Sequence, residues 1–130
     1  MIELEVYGDP APQGSKKVVR GRLIEASKKL KPWRKAIELA CQPYANENIY
    51  LGPVRLEVDF FLPRPPSIKM TKRPFPIVPP DLDKLVRAVG DGIGQSGFIW
   101  GDDSQVVDIF ARKFYADDRP SGATIRIIRL

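Results

Sequence analysis

"PVRLEVDFFL", residues 53–62, decides the architecture. Val54, Leu56, Val58 and Phe60 share one parity, and Arg55, Glu57 and Asp59 take the other. A period of two marks a strand with one face on a core and one toward solvent. Upstream the period changes: Leu30, Trp33, Ile37, Ala40, Cys41 and Tyr44 recur at helical spacing. Pro32 suits the first turn of that helix, and Pro43 ends or kinks it. Downstream, in "PDLDKLVRAVGDGI" (residues 80–93), Leu82, Leu85, Val86, Val89 and Ile93 form the buried stripe of a second helix. "IELEVY" (2–7) alternates as a strand, and "QVVDIFARKFY" (105–115) does so less cleanly. "ATIRIIRL" (123–130) is short enough to fold back on its predecessor as a hairpin. The order β-α-β-α-β-β in a single domain predicts an α/β (α+β) fold, a mixed sheet with two helices against it.

The bulk composition narrows the chemistry. A chain of 130 residues, 43% apolar and 28% charged, suits one hydrophobic core. No apolar run approaches the ~20 residues of a membrane helix. The N-terminus carries acids where a signal peptide carries bases, so a cytoplasmic protein is expected. One cysteine, Cys41, precludes an internal disulfide framework, and its place on the apolar stripe predicts a buried structural thiol. The absence of histidine excludes His-based triads, His-liganded zinc and His general bases.

The net charge is +5, and it is unevenly spread. Residues 16–35 hold nine bases and one acid, and residues 63–80 hold four bases and no acid. The remaining chain therefore carries eight of the 21 bases and 15 of the 16 acids. Such asymmetry predicts a polyanionic partner, nucleic acid above all. Two segments of little periodicity, about 9–29 and 63–80, read as flexible basic loops. The second has seven prolines, which forbid regular helix. Lys16, Lys17, Arg20 and Arg22, with Arg64, Lys69, Lys72 and Arg73, are the candidate DNA-binding residues. They would supply a salt-dependent phosphate term without reading sequence.

The carboxylates carry the candidate chemistry. Asp83, Arg87 and Asp91 share the polar side of the second helix, and Asp81 stands at its cap position. These residues also fit a purely structural account, with Asp81 as cap, Asp83 paired to Arg87 and Asp91 solvated. "FIWGDDSQVV" (98–107) adds Asp102 and Asp103 at the mouth of a strand. Clustered carboxylates repel unless a cation sits between them, and hard oxygen ligands suit Mg²⁺, with Mn²⁺ as substitute. A basic protein with such a site suggests metal-assisted phosphodiester hydrolysis, with Arg87 on the phosphate.

"DLDKLVRAVGDGI" followed by "GFIWGDDSQVVD" resembles the signature of the RusA family of Holliday-junction resolvases. "GDPAPQGSKK" and "KLKPWRKAI" resemble members found in phages and prophages. The resemblance implies a dimeric, Mg²⁺-dependent endonuclease that nicks four-way DNA junctions symmetrically and needs no small-molecule cofactor. It implies that Asp81, Asp83 and Asp103 are the catalytic, metal-binding set. Arg87 stands where the family usually has a catalytic lysine; arginine keeps the phosphate contact and loses the proton-donating role. Asp91 and Asp102 are then supporting or structural residues and not metal ligands. A non-catalytic DNA-binding protein, and a metal-dependent nuclease on other branched DNA, are the competing readings.

Overall fold

The computed structural model describes residues 1–14, 16–19, 22–25 and 28–130, and of 16–19 and 22–25 it describes the backbone. The elements are β1 (Ile2–Tyr7), β2 (Lys16–Val19), β3 (Arg22–Glu25), α1 (Leu30–Cys41), β4 (Val54–Leu62), α2 (Leu82–Ser96), β5 (Val106–Tyr115) and β6 (Gly122–Arg129). Four strands form a mixed sheet in the order β1-β6-β4-β5, and β2 and β3 pair as a separate antiparallel hairpin. This hairpin lies within the segment expected to be an irregular loop.

β4 has the alternation its sequence requires, with every second residue from Val54 to Leu62 buried. The inward residues of β1, β4 and β6 meet Leu30, Trp33, Ile37 and Cys41 of α1 and Leu85, Val89 and Ile93 of α2 in one core. Burial pushes the Cys41 thiol pKa up, as a structural thiol in apolar surroundings requires.

β5 and β6 do not form the expected hairpin. β5 runs parallel to β4, and β6 lies antiparallel between β1 and β4. Ala123, Ile125 and Ile127 of β6 are fully buried, as befits a strand with a neighbour on each side. The connection 116–121 steps over the end of β4, where the Ala116 amide donates to the Leu62 carbonyl (2.7 Å). Charge fixes the β4–β5 register. Arg55 lies opposite Asp108 and Asp59 opposite Arg112, and both pairs are made, at 2.7 and 2.9 Å.

α2 ends at Gly97, whose left-handed conformation (φ 72°) closes the helix. Glycines within α2 set how closely it is approached. A Cβ on Gly92 would sit 2.9 Å from Ile37 of α1, so this glycine lets the two helices meet, whereas a Cβ on Gly90 would touch nothing. Gly90→Ala is therefore expected to leave the fold intact and raise stability by up to about 1 kcal/mol. Gly92→Ala is expected to lower it by about 1–3 kcal/mol through overpacking. Urea denaturation of the two variants checks both signs.

Candidate active site

Asp81 occupies the N-cap of α2 and does not cap it. Its backbone is extended and its carbonyl accepts from the Leu85 amide (3.1 Å), but its carboxylate takes no helix N–H. It stands exposed, with Lys84 at 3.6 Å. Asp83, in the first turn, is also exposed, and among the described residues it makes no ion pair with Arg87.

Arg87 instead lies against the loop that follows β1. A Cβ on Gly14 would come within 2.6 Å of its Nη1, and the φ of +93° at Gly14 favours glycine there. The same loop rests on α2 through the Gln13 amide, which donates to the Lys84 carbonyl (3.0 Å). The Gln13 side chain accepts from Arg34 Nη1 (3.2 Å). Arg87 and Arg34 thus converge on residues 13–14 from two helices.

Lys113 of β5 fixes the approach to this motif. Its ammonium donates to the carbonyls of Val78 and Pro80, each at 2.9 Å. An open groove of about 570 Å³ lies alongside, walled largely by prolines and bordered by Asp81 and Lys84.

Asp103 is seated differently. It opens a 3₁₀ turn (Asp103–Gln105) that leads into β5. The indole N–H of buried Trp100 donates to its Oδ1 (2.9 Å). A Cβ on Gly94 would lie 2.6 Å from that same oxygen. Gln105 locks the turn, accepting from the amides of Gly101 and Asp102 and donating to the carbonyls of Tyr50 and Gly52. Asp102 caps the turn, and the Ser104 hydroxyl and amide hold its carboxyl below the usual range. Asp91, Asp102, Asp103 and Arg34 border one shallow groove.

The two acidic motifs are therefore apart within one chain. Gly94 follows Asp81 by 13 residues, which is about 20 Å along a helix at 1.5 Å per residue. Two oxygens on one Mg²⁺ lie no more than about 4 Å apart. Among the described residues no three acidic side chains are grouped to hold a metal ion. Asp81 and Asp83 offer exposed hard oxygens of the right kind, but Asp103 of the same chain does not reach them.

The candidate basic surface divides in the same way. Lys16, Lys17, Arg20 and Arg22 have side chains outside the described residues. Lys69 and Lys72 are exposed. Arg64 is a clasp rather than a free cation: it grips Asp117 through Nε and Nη2 (2.6 and 2.9 Å), donates to the Arg73 carbonyl (2.7 Å) and covers the Tyr115 ring. Arg73 is tied to the Tyr115 hydroxyl (2.7 Å). The Arg64 guanidinium holds the Asp117 carboxyl below its ordinary 3.8. A depressed carboxyl contributes stability above its unfolded pKa and loses it as pH falls through the folded value. The proline loop is accordingly expected to loosen below about pH 4, read as faster proteolysis within 63–80; Arg64→Ala is expected to loosen it at neutral pH.

Trp100, Gly94, Lys113 and Arg34 are site residues that sequence reasoning did not mark. Trp100 carried a signal, standing three residues before Asp103. Lys113 carried none, since its partners lie more than 30 residues away.

The chain matches the family model described as endodeoxyribonuclease RusA over residues 8–128. It is 30% identical over 129 residues to a protein of Bacillus subtilis (strain 168) named uncharacterized protein YqaN, covering 90% of this chain and 89% of that one. No helix among the described residues is long and apolar enough to cross a membrane. Nearly the whole chain, including both acidic motifs, falls within the family match, and the protein belongs to the RusA family of endodeoxyribonucleases.

Proposed function

We propose that this protein resolves four-way DNA junctions by Mg²⁺-dependent phosphodiester hydrolysis, cutting in symmetric pairs as a homodimer. The observation that carries the reading is the exposed Asp81 carboxylate, which caps no helix amide. An N-cap aspartate that accepts no helix amide has its oxygens available for another ligand, and exposed Asp83 stands beside it.

Asp81 and Asp83 of one copy and Asp103 of the other are the proposed metal ligands. The three-turn separation within a chain supports this assignment, because a two-fold dimer offers each helix start a second Asp103. When bound, Mg²⁺ supplies an activated water and neutralises charge on the phosphoryl oxygens. The protein's own contribution is positional. Lys113 sets the backbone ahead of Asp81 and Trp100 orients one oxygen of Asp103; exposed Arg87 would hold the scissile phosphate through its fork of donors. Lys69 and Lys72 add phosphate contacts along a duplex arm. A bacterial cytoplasm, with a phage or prophage gene as source, is the setting we propose.

A synthetic four-way junction tests the reading. The wild-type chain is expected to give paired nicks with Mg²⁺ or Mn²⁺ and none with EDTA. Asp83→Asn is expected to lose at least about 100-fold in nicking rate while still binding the junction. Binding without metal-dependent nicking would make it a DNA-binding protein. Equal cutting of flaps or plain duplex would make it a less selective nuclease.

A further inference from the structure

β5 is an edge strand with exposed apolar residues along its middle. It is ten residues long and contains no proline, and its free side follows no bulge beyond the first residue of the β4 pairing. Val107, Ile109 and Phe110 are 64%, 53% and 57% exposed. Its charges already have partners within the chain: Asp108 is bound by Arg55, Arg112 by Asp59, and Lys113 by two carbonyls. The opposite edge, β1, differs, since Glu3 and Glu5 project from it beside Arg126 and Arg119.

We propose that the free edge of β5 pairs antiparallel with β5 of a second copy, with Phe110 on the two-fold axis. The proposal gives the homodimer of the preceding reading its surface and register, and rests on that reading for the dimer itself. Residues paired across an antiparallel ladder point to the same face, so a two-fold axis must pass through a residue and not between two. Centring on Asp108 or Arg112 would oppose identical charges. Centring on Phe110 sets Phe110 against itself and Asp108 against Arg112 of the second copy. On the helix side it sets Ile109 against Ala111. No like charges are then opposed, and the two existing ion pairs join into one network of Arg55, Asp108, Arg112 and Asp59.

The same register has a second consequence at the site. Lys113, which holds the backbone before Asp81, lies opposite Val107 of the second copy. Asp103 of that copy precedes its Val107 by four residues. An antiparallel neighbour therefore carries its Asp103 to the end of the interface where Asp81 stands. The pairing favoured by charge complementarity is also one that brings the separated carboxylates toward the same end of the interface.

Sedimentation and a cysteine probe test the interface. The wild-type chain is expected to sediment at twice its 14.6 kDa. Phe110→Cys is expected to become disulfide-linked to a second copy on mild oxidation, since opposed Cα atoms about 4.5–5.5 Å apart fall within the disulfide range. Leu51→Cys, exposed but off the interface, is expected not to link, and native Cys41 is buried and silent. Phe110→Asp is expected to weaken association at least about 100-fold with an unchanged circular dichroism spectrum, because Phe110 contributes to no core. A monomeric wild type, or a dimer that does not link through residue 110, would overturn the proposal. A nicking dimer without that link overturns the interface alone. A linked dimer that nicks no junction overturns the endonuclease reading alone.

Discussion

Mixing two inactive variants, Asp83→Asn and Asp103→Asn, is expected to restore junction nicking that neither shows by itself. In a heterodimer of the two, one site combines both lesions and the other combines Asp83 from one chain with Asp103 from its mate, both intact. Random exchange makes about half the dimers mixed, each with one working site, so nicking returns to roughly a quarter of the wild-type level. The restored cut falls on one strand per junction and is unpaired. If each site were built within one chain, every site in the mixture would carry a lesion and nothing would return. The expected contrast is thus between a quarter of full activity and a loss of about 100-fold or more. The roughly 20 Å of helix between Asp81 and the Gly94 contact of Asp103 is the reason to expect the first outcome.

Gly94→Ala is expected to cut nicking by about 100-fold with little effect on folding. The new methyl would lie 2.6 Å from Asp103 Oδ1 and 3.4 Å from its Cγ. The side chain must swing away from the Trp100 indole, which loses its 2.9 Å partner. A displacement near 1 Å at a ligand costs on the order of 10²-fold in rate. Asp103 is exposed, so the helix and core around it stay packed and the melting temperature is expected to move little. A raised requirement for Mg²⁺ in the variant would separate a moved carboxylate from general destabilisation. Trp100→Phe, which removes the indole N–H and keeps a buried ring, is expected to shift the Mg²⁺ requirement in the same direction by a smaller amount.

The elements were legible where the signal is local. The alternation of residues 54–62 and the apolar stripes of α1 and α2 are properties of short windows, and each element falls where its period predicts. Strand partnership is not local. Two successive strands with a short connection suggest a hairpin, yet β6 inserts on the far side of β4 because its apolar face needs neighbours on both flanks. The charge match of Arg55 with Asp108 and Asp59 with Arg112 held that information, but only a known pairing direction makes it readable. The site divides similarly. Asp81 and Asp83 are fixed by the helix start, whereas the turn of α2 that Asp103 meets depends on how the chain returns after Gly97. Gly90, conspicuous mid-helix, packs against nothing, and the glycines that matter are Gly92 and Gly94. Arg64 reads as a basic loop residue and is a clasp, because its partner Asp117 lies 53 positions away.

Lys113 gives the sheet a further use. It ties the backbone before Asp81 to a fixed rung of β5, three residues from Phe110. With Phe110 on the axis and about 3.3 Å per residue, the two Lys113 anchors stand about 20 Å apart along the strands. Pleated backbone resists stretching far more than a loop does, so the paired strands act as a ruler. In the proposed dimer, the spacing between the two cuts would be set by strand register and stay constant however the basic loops accommodate the arms of the junction.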